Sequence, residues 1–446
     1  MSLRASFLKA AAREHLAHDL GPLREVVGRS LYTCAAGLRA GGRRANAWRM
    51  LMRVHSGNFS EAIDRRIEGE LREATQREQR GEATGLWQAY DQVIANAAAA
   101  FRVGANSDPR RLIGSRLLVA KPYRLGERGV LYVDYSYVFP SLAGLFDLQA
   151  IADRYHLVLE PSWSGVCTPE ILLYSRLPQT VLVETIEPRD HRVLATIDTN
   201  LRPVPVAANY WVDYRLIEPL PASRRDIDVI MVAAWAGIKR HWRFFRTLAG
   251  LRRRGHRVRV ALVGYRYDKT IDDIRAQAAH FGIGDQVELF ERLSQAEVSA
   301  LLARSKVHVL WSRRECANRA IIEAMLADVP VIVRSGLTFG FHYPYINTQT
   351  GRFIEERALG DAILEMLQNG RSYAPRQWVL EHMTCQKATA AVEDAVRTSA
   401  ERAGEAWTTG LVVKTSTLDT QKYWNPEDRD RFAADYRFLE SAIRSQ

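Results

Sequence analysis

The feature that most constrains this chain is an alternation that begins at Ile227. Short apolar runs, "IDVIMVAAW", "RVRVALVG", "QVELF", "VHVLWS", "VPVIV" and "GRFIE", are interspersed with segments of helical spacing at 239–254, 268–281, 294–305, 317–328 and 357–369. Apolar residues that run on continuously, without polar alternation, mark strands covered on both faces. Strands interleaved with helices of this length make right-handed βαβ crossovers, so the segment predicts a parallel, doubly wound sheet. Ligands of such sheets bind beyond the carboxyl ends of the strands, at helix N-termini.

A first series of the same kind runs through "RLLVAKPY", "GVLYVDYSYVF", "HLVLEPSW", "TVLVETIE" and "VPVAANYWVDY", and the turn-rich "YRLIEPLPASRRD", Tyr214 to Asp226, separates the two. Two series predict two Rossmann-like lobes, an α/β architecture whose interlobe cleft is the natural active site. Residues 1–112 have no strand pattern. Their apolar residues recur every three or four in "FLKAAAREHLAHDLGPLREVV" and "GLWQAYDQVIANAAAAF", the spacing of amphipathic helices. The expected organisation is a helical extension over 1–112, an N-terminal lobe over 113–222, a C-terminal lobe over 223–385, and a helical segment over 386–446 packing back across the lobes.

With 47% hydrophobic and 25% charged residues in 446, the composition is that of a globular enzyme. No apolar run reaches the roughly 18 to 20 residues that span a bilayer, and the first twenty residues mix charges too early for a secretory signal. The expected location is the cytoplasm. Cys34, Cys167, Cys316 and Cys385 are too scattered for a disulfide framework or a metal clip, so they are expected as reduced thiols. The net charge of +11 is concentrated in two blocks: residues 1–53 hold ten Lys/Arg against Glu14, Asp19 and Glu25, and residues 239–259 hold nine and no acid. Residues 1–53 read either as a basic helical surface or as a contact with a partner protein or the inner face of a membrane. The second block, "KRHWRFFRTLAGLRRRGHR", places Trp242, Phe245, Leu248, Ala249 and Leu251 at near-helical spacing. Most of its aromatics are therefore expected in the core, with the exposed arginines left to favour anionic lipid; a nucleic-acid partner is disfavoured. Neither a dinucleotide fingerprint nor a P-loop is present. "DID" at Asp226 to Asp228 precedes a buried strand instead of ending one, so it reads as an interlobe turn, and no catalytic metal is expected.

The chemistry-bearing stretch is "SRRECANRAIIEAML", Ser312 to Leu326. A buried strand ends at Trp311 and a helix is expected from Ala317, so the amides of Cys316, Ala317 and Asn318 would form an anion site at its start. Were the stretch helical throughout, Glu315 and Glu323 would lie about 12 Å apart along the axis. That matches the span from a sugar across a diphosphate to a ribose. One carboxylate would accept hydrogen bonds from sugar hydroxyls and the other from ribose hydroxyls, with Arg319 or the helix end neutralising the phosphates between.

The segment resembles the E-(seven residues)-E signature of retaining, family-4-type glycosyltransferases of GT-B fold, and "EAMLADVPVIV" is similar to the family's "EAMA-x-G-x-PVI". "VAANYWVDYRLIEP", "IKRHWRFFRTLAGLRRRG", "VRVALVG" and "INTQTGRFI" resemble further family segments in the family's order. The resemblance implies that Glu315 contacts the donor sugar, Glu323 the ribose, Lys239 the donor phosphates, and the amides of Cys316, Ala317 and Asn318 the diphosphate. Gly264, closing the second strand of that lobe, is counted with the donor-binding residues. Where the family has an arginine five residues before its lysine this chain has Ala234, and where it has a glycine after the lysine this chain has Arg240. "CANRA" replaces the glycine-rich turn. Arg319 or Arg240 is expected to supply the missing cation.

On the acceptor side, His191 follows a first-lobe strand and reads as an acceptor contact or base, with Asp190 beside it; a loop-stabilising Asp and an exposed His fit equally. "SYVFPSLAGL", Ser136 to Leu145, occupies the loop that usually approaches the diphosphate, with Gly144 its only glycine. His342 and Tyr345 to Asn347 fall near the sugar end of the family's arrangement. The implied reaction moves a sugar from a UDP- or GDP-linked donor, with no other cofactor, to a glycan, lipid-linked or small-molecule acceptor with retention of configuration. The competing reading is a non-catalytic nucleotide-sugar, nucleic-acid or membrane binder with a degenerate GT-B lobe.

Overall fold

The computed structural model describes residues 12, 21–103, 107–161, 165–337, 343–417 and 419–444. The chain divides into a unit of residues 1–208 and 389–446 and a unit of residues 209–388. Both are α/β, each built on its own sheet.

The first unit carries β1 (Leu117–Lys121), β2 (Gly129–Asp134), β3 (Tyr155–Glu160), β4 (Val181–Glu184) and β5 (Leu201–Val204) in that spatial order. β2 to β5 are mutually parallel, and β1 is antiparallel to β2. Every residue of β1 to β4 is buried, as continuous apolar runs require. β5 ends at Val204, the first residue of the run "VPVAANYWVDY", so the strand precedes that run instead of lying in it. Pro203 and Pro205 donate no backbone hydrogen bond, which restricts such a strand to a sheet edge.

The helical region before this sheet belongs to the same unit. Helices Gly21–Ala40, Arg44–Gly57, Glu61–Gln79 and Leu86–Val103 bury Trp48, Leu51, Met52, Ile67, Leu71, Leu86 and Tyr90. A buried polar cluster ties them to helix Pro188–Ile197. Arg189 Nη2 donates to His55 Nδ1 at 3.0 Å and to Asp64 Oδ2 at 3.1 Å, and His55 Nε2 meets Glu68 Oε1 at 3.0 Å. With Nδ1 accepting, His55 is the neutral Nε2–H tautomer. Burial, ahead of the Arg189 charge, lowers its pKa to about 4.

The C-terminal residues are not helical throughout. After helix Cys385–Arg402 they form the hairpin β12 (Lys414–Ser416) and β13 (Gln421–Tyr423), then helix Ala433–Ser441. They cover the outer edge of β1, which would otherwise present unpaired backbone groups. Val412 N–H donates to Ala120 O at 2.9 Å, Tyr423 Oη to Val119 O at 2.7 Å, and Gln421 Nε2 to Arg116 O at 2.9 Å. Lys414 forms an ion pair with Glu160 in which neither side chain is exposed.

The second unit holds a six-stranded, wholly parallel sheet: β6 (Ile227–Val232), β7 (Val260–Gly264), β8 (Val287–Glu291), β9 (Ser305–Leu310), β10 (Val331–Arg334) and β11 (Gly351–Ile354), in the order β11-β10-β9-β6-β7-β8. The chain runs outward from β6 through β7 to β8, then returns to β9 on the opposite side. β6 and β9 therefore flank the point where strand order reverses, where a crevice opens beyond the carboxyl ends. Among the described residues, no helix is long and apolar enough to cross a membrane.

Candidate active site in the second unit

Two loops meet at that reversal point. After β6 the backbone turns through Gly237–Lys239, passes Arg240 in the left-handed region (φ 57°), and enters helix His241–Arg253. A glycine adopts that conformation without strain; this chain places an arginine in it. After β9 come buried Trp311 and Ser312. Arg313 N–H donates to Ile238 O at 2.9 Å and fastens the two loops together.

Lys239 Nζ and Glu315 Oε1 form an ion pair across this junction, with side chains only 12% and 7% exposed. Ser312 Oγ also donates to Glu315 Oε1, at 2.5 Å. A carboxylate held by an ammonium and a hydroxyl is fixed in place, and both partners can exchange for ligand groups. Ser312 is the member of this trio that sequence reasoning missed; its only signal was its place directly after the strand.

The helix after β9 starts at Arg319, two residues later than expected, and ends at Leu326. Asn318 is its N-cap: its side chain accepts the Ile321 N–H at 3.2 Å, while its own N–H donates to Cys316 O at 2.8 Å. Asn318 therefore spends its amide and its side chain within the loop. Because Glu315 to Asn318 are not helical, the fully helical 12 Å spacing does not describe the two glutamates. Glu323, in the second turn, is buried; it accepts from Gln295 Nε2 at 3.3 Å and lies 3.8 Å from Arg319 Nη2.

The two expected substitutes for the missing cation sit differently. Arg319 faces Glu323. Arg240 is buried with its guanidinium 3.7 Å from Glu356 Oε2, and Arg243 and Arg246 bind the same carboxylate. Gly264 has a packing role. A Cβ there would lie 2.4 Å from Ala233 O and 2.9 Å from the Trp235 ring, and that indole donates to Glu291 Oε1 at 2.8 Å.

Tyr345 is fully buried and stacks on Tyr343 at 5.0 Å, and Asn347 Oδ1 accepts from the Gln349 N–H. His342 lies outside the described residues. Asp226 pairs with Arg304 at 2.7 Å and Asp228 with Lys306 at 2.7 Å, so both carboxylates of "DID" are spent at the amino end of β6. Cys316 is partly buried and forms no disulfide.

The basic run is partly paired. Of its nine cations, eight lie within 4 Å of an acid: Lys239 on Glu315, Arg240, Arg243 and Arg246 on Glu356, Arg252 and Arg257 on Asp285, Arg254 on Asp361, and Arg259 on Asp226. Five carboxylates answer nine cations, so the run keeps an excess of positive charge.

In the first unit, His191 Nε2 donates to Thr185 O at 2.6 Å. Asp190 is buried and accepts from Gly165 N–H at 3.2 Å, Val166 N–H at 3.1 Å and Thr185 Oγ1 at 3.3 Å. Asp190 thus organises its loop. Gly144 lets helix Phe139–Leu145 approach helix Leu86–Val103: a Cβ there would lie 3.0 Å from Ala98 Cβ and 3.2 Å from Ile94 O. Close helix packing accounts for this glycine. Of the N-terminal basic block, Arg29 and Arg39 pair with Glu25 and Glu70, while Arg4, Lys9 and Arg13 lie outside the described residues.

Solved structures similar to this one include the sucrose-phosphate synthase of Thermosynechococcus elongatus (15% identity, 56% of this chain and 69% of that one, TM-score 0.45). Others are Anabaena HepE in complex with UDP and glucose (14%, 60% and 77%, TM-score 0.46) and the pneumococcal O-GlcNAc transferase GtfA in complex with UDP and GlcNAc (14%, 59% and 54%, TM-score 0.42). No curated protein sequence matches the chain. Residues 215–379, nearly all of the second unit, match the family model described as glycosyl transferases group 1.

Proposed function

We propose that this chain is a retaining glycosyltransferase, moving a sugar from a nucleotide-diphosphate donor to a glycan, lipid or small-molecule acceptor. The observation that carries the reading is the Lys239–Glu315 pair at the reversal point of a parallel sheet, with buried Glu323 on the helix that follows. The family match over 215–379 supports it.

In this reading the donor diphosphate draws the Lys239 ammonium away from Glu315. As the glycosidic bond breaks, negative charge gathers on the departing diphosphate and Lys239 stabilises it, together with whichever helix amides face it. Glu315, freed, accepts hydrogen bonds from the sugar hydroxyls, and Glu323 accepts them from the ribose. The acceptor hydroxyl attacks on the face the diphosphate leaves and passes its proton to the departing phosphate oxygen, and configuration is kept without an enzyme nucleophile. Incubation with UDP- and GDP-linked hexoses, following nucleoside diphosphate release and the anomeric proton of the product, tests the proposal. Release with an unchanged anomer is expected. An inverted product removes the retaining mechanism, and tight donor binding without release on any acceptor removes the catalytic reading.

A further inference from the structure

Helix His241–Arg253 has thirteen residues and an open amino end. Its N-cap, Arg240, is left-handed, no side chain caps the helix, and its first turn carries no acid. Helix Arg319–Leu326, by contrast, is closed by Asn318. His241 opens the first helix. It is 2% exposed, its ring lies 5.5 Å from that of Trp235, and neither of its ring nitrogens has a hydrogen-bond partner among the described residues. Burial, reinforced by the neighbouring charges of Lys239 and Lys269, lowers its pKa to about 3. The imidazole is therefore neutral at any working pH, with one N–H to donate.

Buried donors are almost always paired, and one left unpaired costs stability. An unpaired one at an uncapped helix end, next to a lysine, calls for an oxyanion partner. Arg240, next after Lys239, turns to Glu356, which leaves His241 as a neighbour of Lys239 with a donor to give.

We propose that His241 donates a hydrogen bond to a phosphoryl oxygen of a nucleoside diphosphate seated at the amino end of helix His241–Arg253, beside Lys239. The proposal rests on the glycosyltransferase reading above and adds to it a neutral donor beside the Lys239 ammonium.

The test is calorimetry on the full chain with UDP and GDP, and with uridine and guanosine as phosphate-free controls, comparing wild type with His241→Phe and His241→Asn. Phenylalanine keeps the shape and loses the donor; asparagine keeps an N–H. The diphosphate that wild type prefers should bind His241→Phe about tenfold more weakly, as loss of one hydrogen bond to a charged oxygen implies. Binding of its nucleoside should be unchanged, Tm should stay level or rise because an unpaired polar group is gone, and His241→Asn should recover most of the affinity. Equal diphosphate affinity in wild type and His241→Phe overturns the proposal. So does a lowered Tm with nucleoside and diphosphate affinity lost in parallel, the mark of a purely structural residue. Wild type that binds neither diphosphate overturns the glycosyltransferase reading itself, and this inference with it.

Discussion

Lys239→Met separates the structural work of the Lys239–Glu315 pair from its proposed catalytic work. Both side chains are largely buried, so solvent screens their attraction little, and removing one partner of such a pair typically costs about 3–5 kcal/mol. Glu315 keeps the Ser312 hydroxyl at 2.5 Å, which offsets part of this and places the expectation near the lower end, at about 3 kcal/mol. The loss should appear as faster hydrogen exchange in peptides spanning 233–240 and 305–316, which isolate this junction from the rest of a two-unit chain. On turnover, withdrawing a fixed cation from a departing diphosphate costs about 3 kcal/mol of barrier, roughly a hundredfold in kcat. The two effects are of similar size, so the single variant cannot tell them apart. The Lys239→Met, Glu315→Gln double variant can. It leaves no unpaired buried charge, so exchange protection should return toward wild type while kcat stays at least about a hundredfold down, since Glu315→Gln also weakens the proposed sugar contact. Turnover recovered along with protection would mean that Lys239 serves only as a counter-ion. Wild-type kcat in Lys239→Met would refute the reasoning outright.

Two further outcomes are expected. Asp134, paired in register with Glu160 of the neighbouring strand, has its pKa pushed up to about 7 by burial and by the Glu160 charge. The folded chain thus holds this proton more tightly than the unfolded one. Its contribution to stability is complete below about pH 4 and lost as pH rises through about 7. Asp134→Asn should flatten that slope and raise Tm at pH 8 relative to wild type while changing it little below about pH 4; an unchanged Tm-against-pH curve contradicts this. Gly264→Ala forces a Cβ to within 2.4 Å of the Ala233 carbonyl and should cost about 1–3 kcal/mol by overpacking. Urea unfolding followed by exchange at β6 and β7 measures it, and wild-type protection would show that the backbone yields there freely.

The strands were legible because burial on both faces writes itself as an unbroken apolar run. β6 to β11 all fall within the runs read from sequence, give or take a residue or two. Strand direction leaves no such trace, so antiparallel β1 was read like its parallel neighbours. "LVVKTS" at 411–416 was passed over inside a segment judged helical, because a three-residue strand such as β12 carries too short a pattern to outweigh the helices around it. At the site, the start of helix Arg319–Leu326 was encoded locally: the asparagine in "CANRA" is a strong N-cap residue, and taking it as such would have moved the boundary to Arg319. The Lys239–Glu315 contact spans 76 residues of sequence, and only the resemblance to a family joined the two. His241 gave no signal at all, since an unpaired imidazole becomes visible only once its neighbours are known.

The densest basic run is answered in part by Glu315, Glu356, Asp285, Asp361 and Asp226, carboxylates drawn from five separate elements of the second unit. Pairing reduces the local field of the run, while the chain keeps its net charge of +11. The start of the run adds short-range features: an ammonium whose counter-ion can be exchanged, a helix end without a side-chain cap, and an imidazole N–H without an acceptor among the described residues, all directly after β6. In the proposed reaction a diphosphate arriving there displaces Glu315 from Lys239, so part of its binding energy goes into freeing that carboxylate. On that proposal the freed carboxylate lies beside whatever the diphosphate carries, which couples recognition of the leaving group to recognition of the sugar attached to it.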